Sequence, residues 1–285
     1  MLISDTHNHQ PDLPPGDIPI HAGDRTENGS FDEVQAQLNW LSAQPHAHKI
    51  VVSGSRNVLL DEAFLEKYPE RRYGQSKTRH DLDWGSVTYL CNESITLALD
   101  VPASPNHQGI PMDTTTSKKR SLKIYGSPYT PQYGISAFQY PRDEDVWAGK
   151  IRLTRISSLS MGRPNSTLIR ATFTRAGCRL LGQEVGRVRP RLVVFGHIHA
   201  AYGTEDVVMD AVRQRYEEVM GNWGGWGTLM LIAVYVLCAR MKNMVVGRER
   251  MVQREKVTTF VNASIVGGSR NEVQNQPIVL EYYDP

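Results

Sequence analysis

Three short apolar runs in this chain each stop at a loop carrying aspartate or histidine, and no other feature restricts the fold as much. Leu2-Ile3-Ser4 runs into Asp5-Thr6-His7, Ile20 leads through His21-Ala22-Gly23 to Asp24, and Leu192-Val193-Val194-Phe195 stops at Gly196-His197-Ile198-His199. Runs this short and this apolar read as buried strands. Helical signals lie between them. Ser30-Phe31-Asp32-Glu33 has the pattern of a capping box, and Val34, Leu38 and Leu41 follow on one helical face. Asp61 to Tyr68 and Cys178 to Val188 also read as helices. Strands alternating with helices over most of a chain predict an α/β layered domain.

Further strands are expected at Lys49 to Ser53, Leu122 to Tyr125, Thr258 to Asn262 and Ile278 to Tyr282. Val87 to Leu90 and Ile95 to Leu99 read as a hairpin around Cys91-Asn92-Glu93. Pro102 to Arg120 reads as a polar surface loop, and His46 and His48, beside Pro45, as surface residues. Arg152 to Arg175 is rich in Arg, Ser and Thr and follows neither a helical nor a strand period. Met220 to Ala239 has no charged residue, but its first half is glycine-rich and only Leu229 to Ala239 is densely apolar. That is too short to cross a bilayer, so a buried or interface helix is expected, with membrane contact through 223–239 as the second reading.

At 285 residues the chain suits one large domain or two small ones, and 40% hydrophobic with 22% charged residues excludes a disordered or fibrous protein. A net charge of +2 points away from a general nucleic-acid binder. Cys91, Cys178 and Cys238 are widely spaced with no CxxC, and residues 1–8 lack a basic segment followed by a long apolar one. Both features predict a cytoplasmic protein.

Aspartate and imidazole together suit zinc, iron or manganese. Two histidines at i and i+2 after a strand can reach neighbouring ions, and a carboxylate such as Asp24 can bridge a metal pair roughly 3.5–4 Å apart. Such a pair activates water and clamps the oxygens of a phosphoryl displacement. Any one of these motifs alone is common; all three in this order, each at a strand end, are far more specific.

With these motifs the chain resembles the calcineurin-like metallophosphoesterases, and among them the metallophosphoesterase-domain-containing subgroup. Ile3-Ser-Asp-Thr-His-Asn8, His21-Ala-Gly-Asp24, Tyr125-Gly-Ser-Pro128, Phe195-Gly-His-Ile-His199 and Asn262-Ala-Ser264 carry the resemblance over most of the chain. It implies one domain over 1–285, an αββα sandwich of two mixed sheets flanked by helices, and a two-metal site at the strand ends. It further implies that Asp5, His7 and His199 hold one ion, Asp24 bridges, and His197 holds the other. A small phosphoester is the implied substrate.

The chain departs from the family in two places. Where the family has Gly-Asn-His-Asp or Glu, this chain reads Gly54-Ser55-Arg56-Asn57. Serine is a poor metal ligand, and Arg56 can steady phosphate charge but, as a guanidinium that stays charged, cannot donate a proton usefully. The family also has a Thr-His-Gly-Pro-Pro-like loop, yet no histidine lies between His107 and His197. Shifting the reading frame by one nucleotide lets Met161 to Asn165 encode His-Gly-Pro-Pro-Lys, preceded by an apolar run. Arg152 to roughly Arg170 therefore reads as a frame-shifted segment, and the fold is expected to be locally degraded around 152–175. With one amide and one histidine gone, this chain is expected to hold one ion or none and to be an impaired phosphoesterase. The alternative is a non-catalytic binding protein of the same fold.

Overall fold

The computed structural model describes residues 1–101, 118–151, 156–159, 178–208, 215, 219, 225–246, 257–268 and 270–281. The first sheet contains β1 (Leu2–Ile3), β2 (Ile20–His21), β3 (Lys49–Val52) and β4 (Val87–Leu90), in that order and all parallel. Helix α1 (Phe31–Ser42) connects β2 to β3, and α2 (Glu62–Lys67) lies between β3 and β4.

The helix starts are as the sequence dictates. The Ser30 hydroxyl accepts from the Glu33 N–H, and the Glu33 carboxylate accepts from the Ser30 N–H, so both halves of the capping box are formed. Asp61 caps α2 through the Phe64 N–H.

A second sheet contains β5 (Glu93–Val101), β6 (Lys118–Ser127), β9 (Ile156–Leu159), β10 (Leu192–Phe195), β11 (Gly203–Val208) and β12 (Val257–Asn262). Their order across the sheet is β11-β12-β10-β9-β6-β5. Between β6 and β9, β7 (Thr130–Pro131) pairs with β8 (Gln139–Tyr140), and α3 (Arg179–Val188) precedes β10. Strands β6, β9, β10 and β12 run parallel, while β5 and β11 are antiparallel to their neighbours at the two edges.

Side-chain alternation explains how the layers stack, because successive residues of a strand face opposite sides. Ile50 and Val52 of β3 join Leu2, Ile20 and Leu90 in one cluster with Leu97, Leu122, Ile124, Leu192, Val194 and Val261 of the second sheet. Val51, between them, faces the other way and packs with Val34, Leu38 and Leu41 of α1. In β10 the same rule sends Leu192 and Val194 between the sheets. Val193 and Phe195 go to a third cluster with Leu181, Val185 and Val188 of α3. Each buried aliphatic side chain contributes about 1.5–3 kcal/mol. This is a mixed α/β arrangement in which apolar contacts join the two sheets.

Several expectations need correction. The hairpin around Cys91-Asn92-Glu93 does not form. β4 pairs with β3 in the first sheet and β5 with β6 in the second, and the chain crosses between sheets at Asn92, whose φ is +57°. The apolar run does form a helix, α4 (Trp226–Val246), but not a buried one, since Trp226, Leu229 to Leu231 and Val234 to Leu237 are all exposed. His46 is buried, bonded through Nε2 to the Pro14 carbonyl. Ile278 forms only an isolated bridge with Leu2. Of the stretch expected to be frame-shifted, 152–155 and 160–170 lie outside the described residues, and 156–159 are strand β9. No helix among the described residues is long and apolar enough to cross a membrane.

Candidate metal centre

The parallel direction of β1, β2 and β3, and of β10 and β12, brings their carboxyl ends to one region. Main-chain bonds tie the loops that follow. The Asp5 N–H donates to the Gly23 carbonyl (2.9 Å), and the His7 N–H to that of Asp24 (3.2 Å). Ser4 exchanges bonds with the loop after β12, donating to Ala263 and accepting from Ile265.

Asp5, His7, Asp24 and His197 all have left-handed backbone, with φ of 52°, 43°, 50° and 72°. Such conformations cost of the order of 1–3 kcal/mol each for non-glycine residues and concentrate at functional sites. Glycines hold the loops close. A Cβ on Gly196 would collide with the Asp5 carboxylate and the Ser4 hydroxyl, and one on Gly54 with Asp24.

Asp5 is fully buried. Burial alone would raise its pKa, but the interactions with His199, Ser4 and the His197 N–H outweigh that and hold it down at about 2. Its Oδ2 accepts from Ser4 Oγ (2.6 Å) and Ser264 Oγ (2.8 Å), and both oxygens are 2.9 Å from the His197 nitrogen. His199 Nε2 lies 3.4 Å from Asp5 Oδ1, and this contact raises the His199 pKa against the opposing effect of burial. The rings of His7 and His199 meet edge to face at 5.3 Å.

His7 is the most informative member. Its Nδ1 lies 2.8 Å from Glu27 Oε2, so Nδ1–H donates to that carboxylate and the Nε2 lone pair points elsewhere. Nε2 is buried with no hydrogen-bond partner. Asp5, His7 and His199 each offer a ligand atom within 4.8 Å of the others. One carboxylate and two imidazoles, one of them with an orphaned buried nitrogen, fit a divalent ion.

Fewer ligands are available for a second ion. Asp24 Oδ2 and His197 Nδ1 are 3.5 Å apart, and no third ligand of the usual kind joins them among the described residues. The Ser55 hydroxyl lies 3.5 Å from Asp24 Oδ2, and the Arg56 N–H donates to Asp24 Oδ1 at 2.8 Å. Asn57 does not substitute, because its Oδ1 accepts from the Gly54 N–H and its Nδ2 donates to Thr26 Oγ1.

The Arg56 side chain is half exposed, with Nη1 3.6 Å from Glu27 Oε1. The half-exposed Tyr133 ring lies tilted against that of His197, with centroids 5.0 Å apart, and its phenol pKa is raised, first by desolvation. Thus Asp5, His7 and His199 form one group, Asp24 and His197 an adjoining pair, and Arg56 flanks both. Glu27, Ser264 and Tyr133 are additions to the sequence reading. Glu27 had a faint signal as a carboxylate in the Asp24 loop; Ser264 lay in the Asn262-Ala-Ser264 motif, but with 259 residues between it and Asp5 nothing in the sequence assigned it that contact.

No protein-family model matches the chain. It is 36% identical over 284 residues to a protein of Emericella nidulans named probable rhamnogalacturonate lyase C, covering 99% of this chain and 24% of that protein. It is 31% identical over 215 residues to metallophosphoesterase domain-containing protein 1 of Homo sapiens, covering 71% of this chain and 61% of the human one. A UPF0046 protein of Caenorhabditis elegans, C25E10.12, is 30% identical over 226 residues, covering 71% of this chain and 69% of its own. The chain thus spans about a quarter and three fifths of the length of the first two relatives.

Proposed function

From the premise that the chain belongs to the family of the UPF0046 proteins, to which it aligns over most of their length, we propose that it is a divalent-metal-dependent phosphoesterase of impaired activity. The observation that carries this reading is the orphaned Nε2 of His7, buried beside Asp5 and His199. The phosphoesterase class is supported by the name of the human relative. The lyase in the Emericella protein's name is not carried over, because the chain accounts for only 24% of that protein.

In this reading Asp5, His7 and His199 would hold one manganese, iron or zinc ion, which would supply an acidified water for hydrolysis. Glu27 keeps the His7 ring in the tautomer that turns Nε2 inward. Arg56 meets the non-bridging oxygens of the phosphate, and Tyr133 walls the His197 side. Asp24 and His197 are two ligands of a second site left incomplete by Ser55. The reading extends to a single domain over 1–285 with the αββα sandwich of calcineurin-like enzymes, supported by the clusters between and outside the sheets. A small phosphoester in the cytoplasm is the substrate, in keeping with the near-neutral charge and three free cysteines.

The non-catalytic alternative is favoured by one observation, the engagement of Asp24 by the Arg56 N–H and the Ser55 hydroxyl in place of a full ligand set. Metal analysis of the purified chain separates the readings, combined with manganese-supplemented hydrolysis of p-nitrophenyl phosphate and bis(p-nitrophenyl) phosphate. One weakly held ion and slow hydrolysis that disappears in Asp5→Asn is expected. Two tightly held ions would overturn the single-ion reading, and turnover no faster than in Asp5→Asn would leave the non-catalytic one.

A further inference from the structure

Helix α4 has no role in the proposed site, and its exposure is out of keeping with its composition. Trp226 is 86% exposed, Met230 73%, Val234 54% and Leu237 60%. From Gly225 to Met241, every described side chain is exposed except Thr228 and Ile232, which are half buried. The other long helix, α1, buries Val34, Leu38 and Leu41 along one face.

The distribution of exposure decides what could cover α4. Successive helical residues point about 100° apart, so the consecutive exposed residues Leu229, Met230 and Leu231 face three directions. Val234, Tyr235, Val236 and Leu237 complete a full exposed turn. A second copy of the helix would cover one stripe and leave the rest in water. A helix apolar all round belongs in a medium that is apolar all round.

Charge identifies the medium further. No acidic residue occurs from Val219 to Arg248. Between 225 and 256 there are six basic residues, Arg240, Lys242, Arg248, Arg250, Arg254 and Lys256, against Glu249 and Glu255. That +4 exceeds the +2 of the whole chain, so the remainder is net acidic and the positive charge is concentrated, in sequence, at the end of the apolar segment and just after it. Basic residues next to an apolar segment match an anionic lipid surface. Length sets the depth. Leu229 to Ala239 spans about 16 Å at 1.5 Å per residue, about half of a ~30 Å hydrocarbon core. Trp226 stands at one end, where indole favours the interface, and Arg240 and Lys242 at the other.

We propose that α4 docks the protein on anionic membranes, its Leu229–Ala239 segment entering one leaflet without crossing. The docking does not rest on the phosphoesterase reading. The test is co-sedimentation of the full chain with phosphatidylcholine vesicles with and without about a third phosphatidylserine. Binding at least tenfold stronger to the anionic vesicles is expected, weakened several-fold by 0.5 M salt and accompanied by a blue shift of tryptophan emission. The triple variant Met230→Glu, Val234→Glu, Leu237→Glu changes only exposed positions and is expected to reduce binding at least tenfold. The lipid and salt comparisons on the unaltered chain stand even if that variant misfolds. Failure to pellet with either vesicle, or equal pelleting of a folded triple variant, would overturn the proposal. So would light scattering that shows a dimer which the variant dissolves, because the occupant would then be a second copy.

Discussion

Replacing Glu27 tests the candidate centre without touching any ligand. Its Oε2 is 2.8 Å from His7 Nδ1, and the His7 side chain is 3% exposed, so water cannot substitute well for the lost acceptor. Removing the carboxylate that orients a metal-binding histidine usually weakens metal affinity 10- to 100-fold, which is about 1.4–2.7 kcal/mol. Two facts place this case at the lower end. Glu27 is 38% exposed, which screens its charge, and Oε2 also accepts from Asn271 Nδ2 at 3.0 Å. Glu27→Ala should therefore weaken manganese or zinc binding about tenfold, with a smaller loss for Glu27→Gln, whose amide oxygen can still accept from Nδ1–H. Calorimetric titration of the metal-free chain measures both. Unchanged affinity in a folded Glu27→Ala protein would refute the carboxylate–histidine argument, and with it the assignment of Nε2 as the ligand atom.

Gly196→Ala should abolish metal binding, because the new Cβ collides with the Asp5 carboxylate; metal analysis of the variant checks this. Arg25 is fully buried, with Nε and Nη2 unpartnered and its pKa lowered to about 10, first by burial. Arg25→Met, which keeps the volume and removes the charge, should be neutral or stabilise by about 1–4 kcal/mol in urea unfolding. A loss of more than 1 kcal/mol would show that the bond from Nη1 to the Val52 carbonyl outweighs the charge penalty. His21 is held neutral by burial first and then by the Arg25 charge. Its Nε2–H donates to Thr6 Oγ1 and its Nδ1 accepts from the Gly23 N–H. The unfolded chain takes up a proton below pH ~6.5 that the folded one refuses, so stability holds above that pH and falls below it. Part of that fall is owed to His21. Urea titrations at pH 7.5 and 5.5 should show that His21→Gln removes it.

The strands and caps were legible because they depend on local pattern. Lys49-Ile-Val-Val has an apolar residue for both faces of its strand, and Ser30 with Glu33 closes a cap within four residues. What depended on pairing across the chain was less legible. The run at 87–99 contains two good strands, but nothing local says that the left-handed Asn92 sends them into different sheets. Strand β9 was hidden for another reason. It lies between β6 and β10, parallel to both, a position usually filled by a continuous apolar run. Its sequence is Ile-Ser-Ser-Leu. A one-nucleotide shift turns serine codons of the TCN type into codons for Phe, Leu, Ile or Val, the composition such a position calls for. The candidate ligands at the strand ends were legible as a set of motifs. Their supporting contacts were not, because nothing local says that Ser264 bonds to Asp5 or that Glu27 bonds to His7.

Retention of a residue argues for function only where the fold has no other use for it. Asp5 fails that test. Its carboxylate accepts from Ser4, Ser264 and the His197 N–H, joining the ends of β1, β10 and β12, so a catalytically silent descendant would keep it for stability. Asp24 fails in the same way, through the Arg56 N–H. His7 passes. Its Nδ1 bond would hold the ring, but a buried Nε2 without a partner costs about 1–3 kcal/mol. A side chain selected only for packing would escape that penalty. The discriminating variant is therefore His7→Phe, which fills the same space without the orphaned nitrogen. In a protein that no longer binds metal it should be neutral or stabilising. In a metal-binding one it should leave the metal-free chain no less stable, yet eliminate the rise in melting temperature on adding manganese. The difference between those two melting curves weighs the enzyme against its silent alternative more directly than the conservation of either aspartate could.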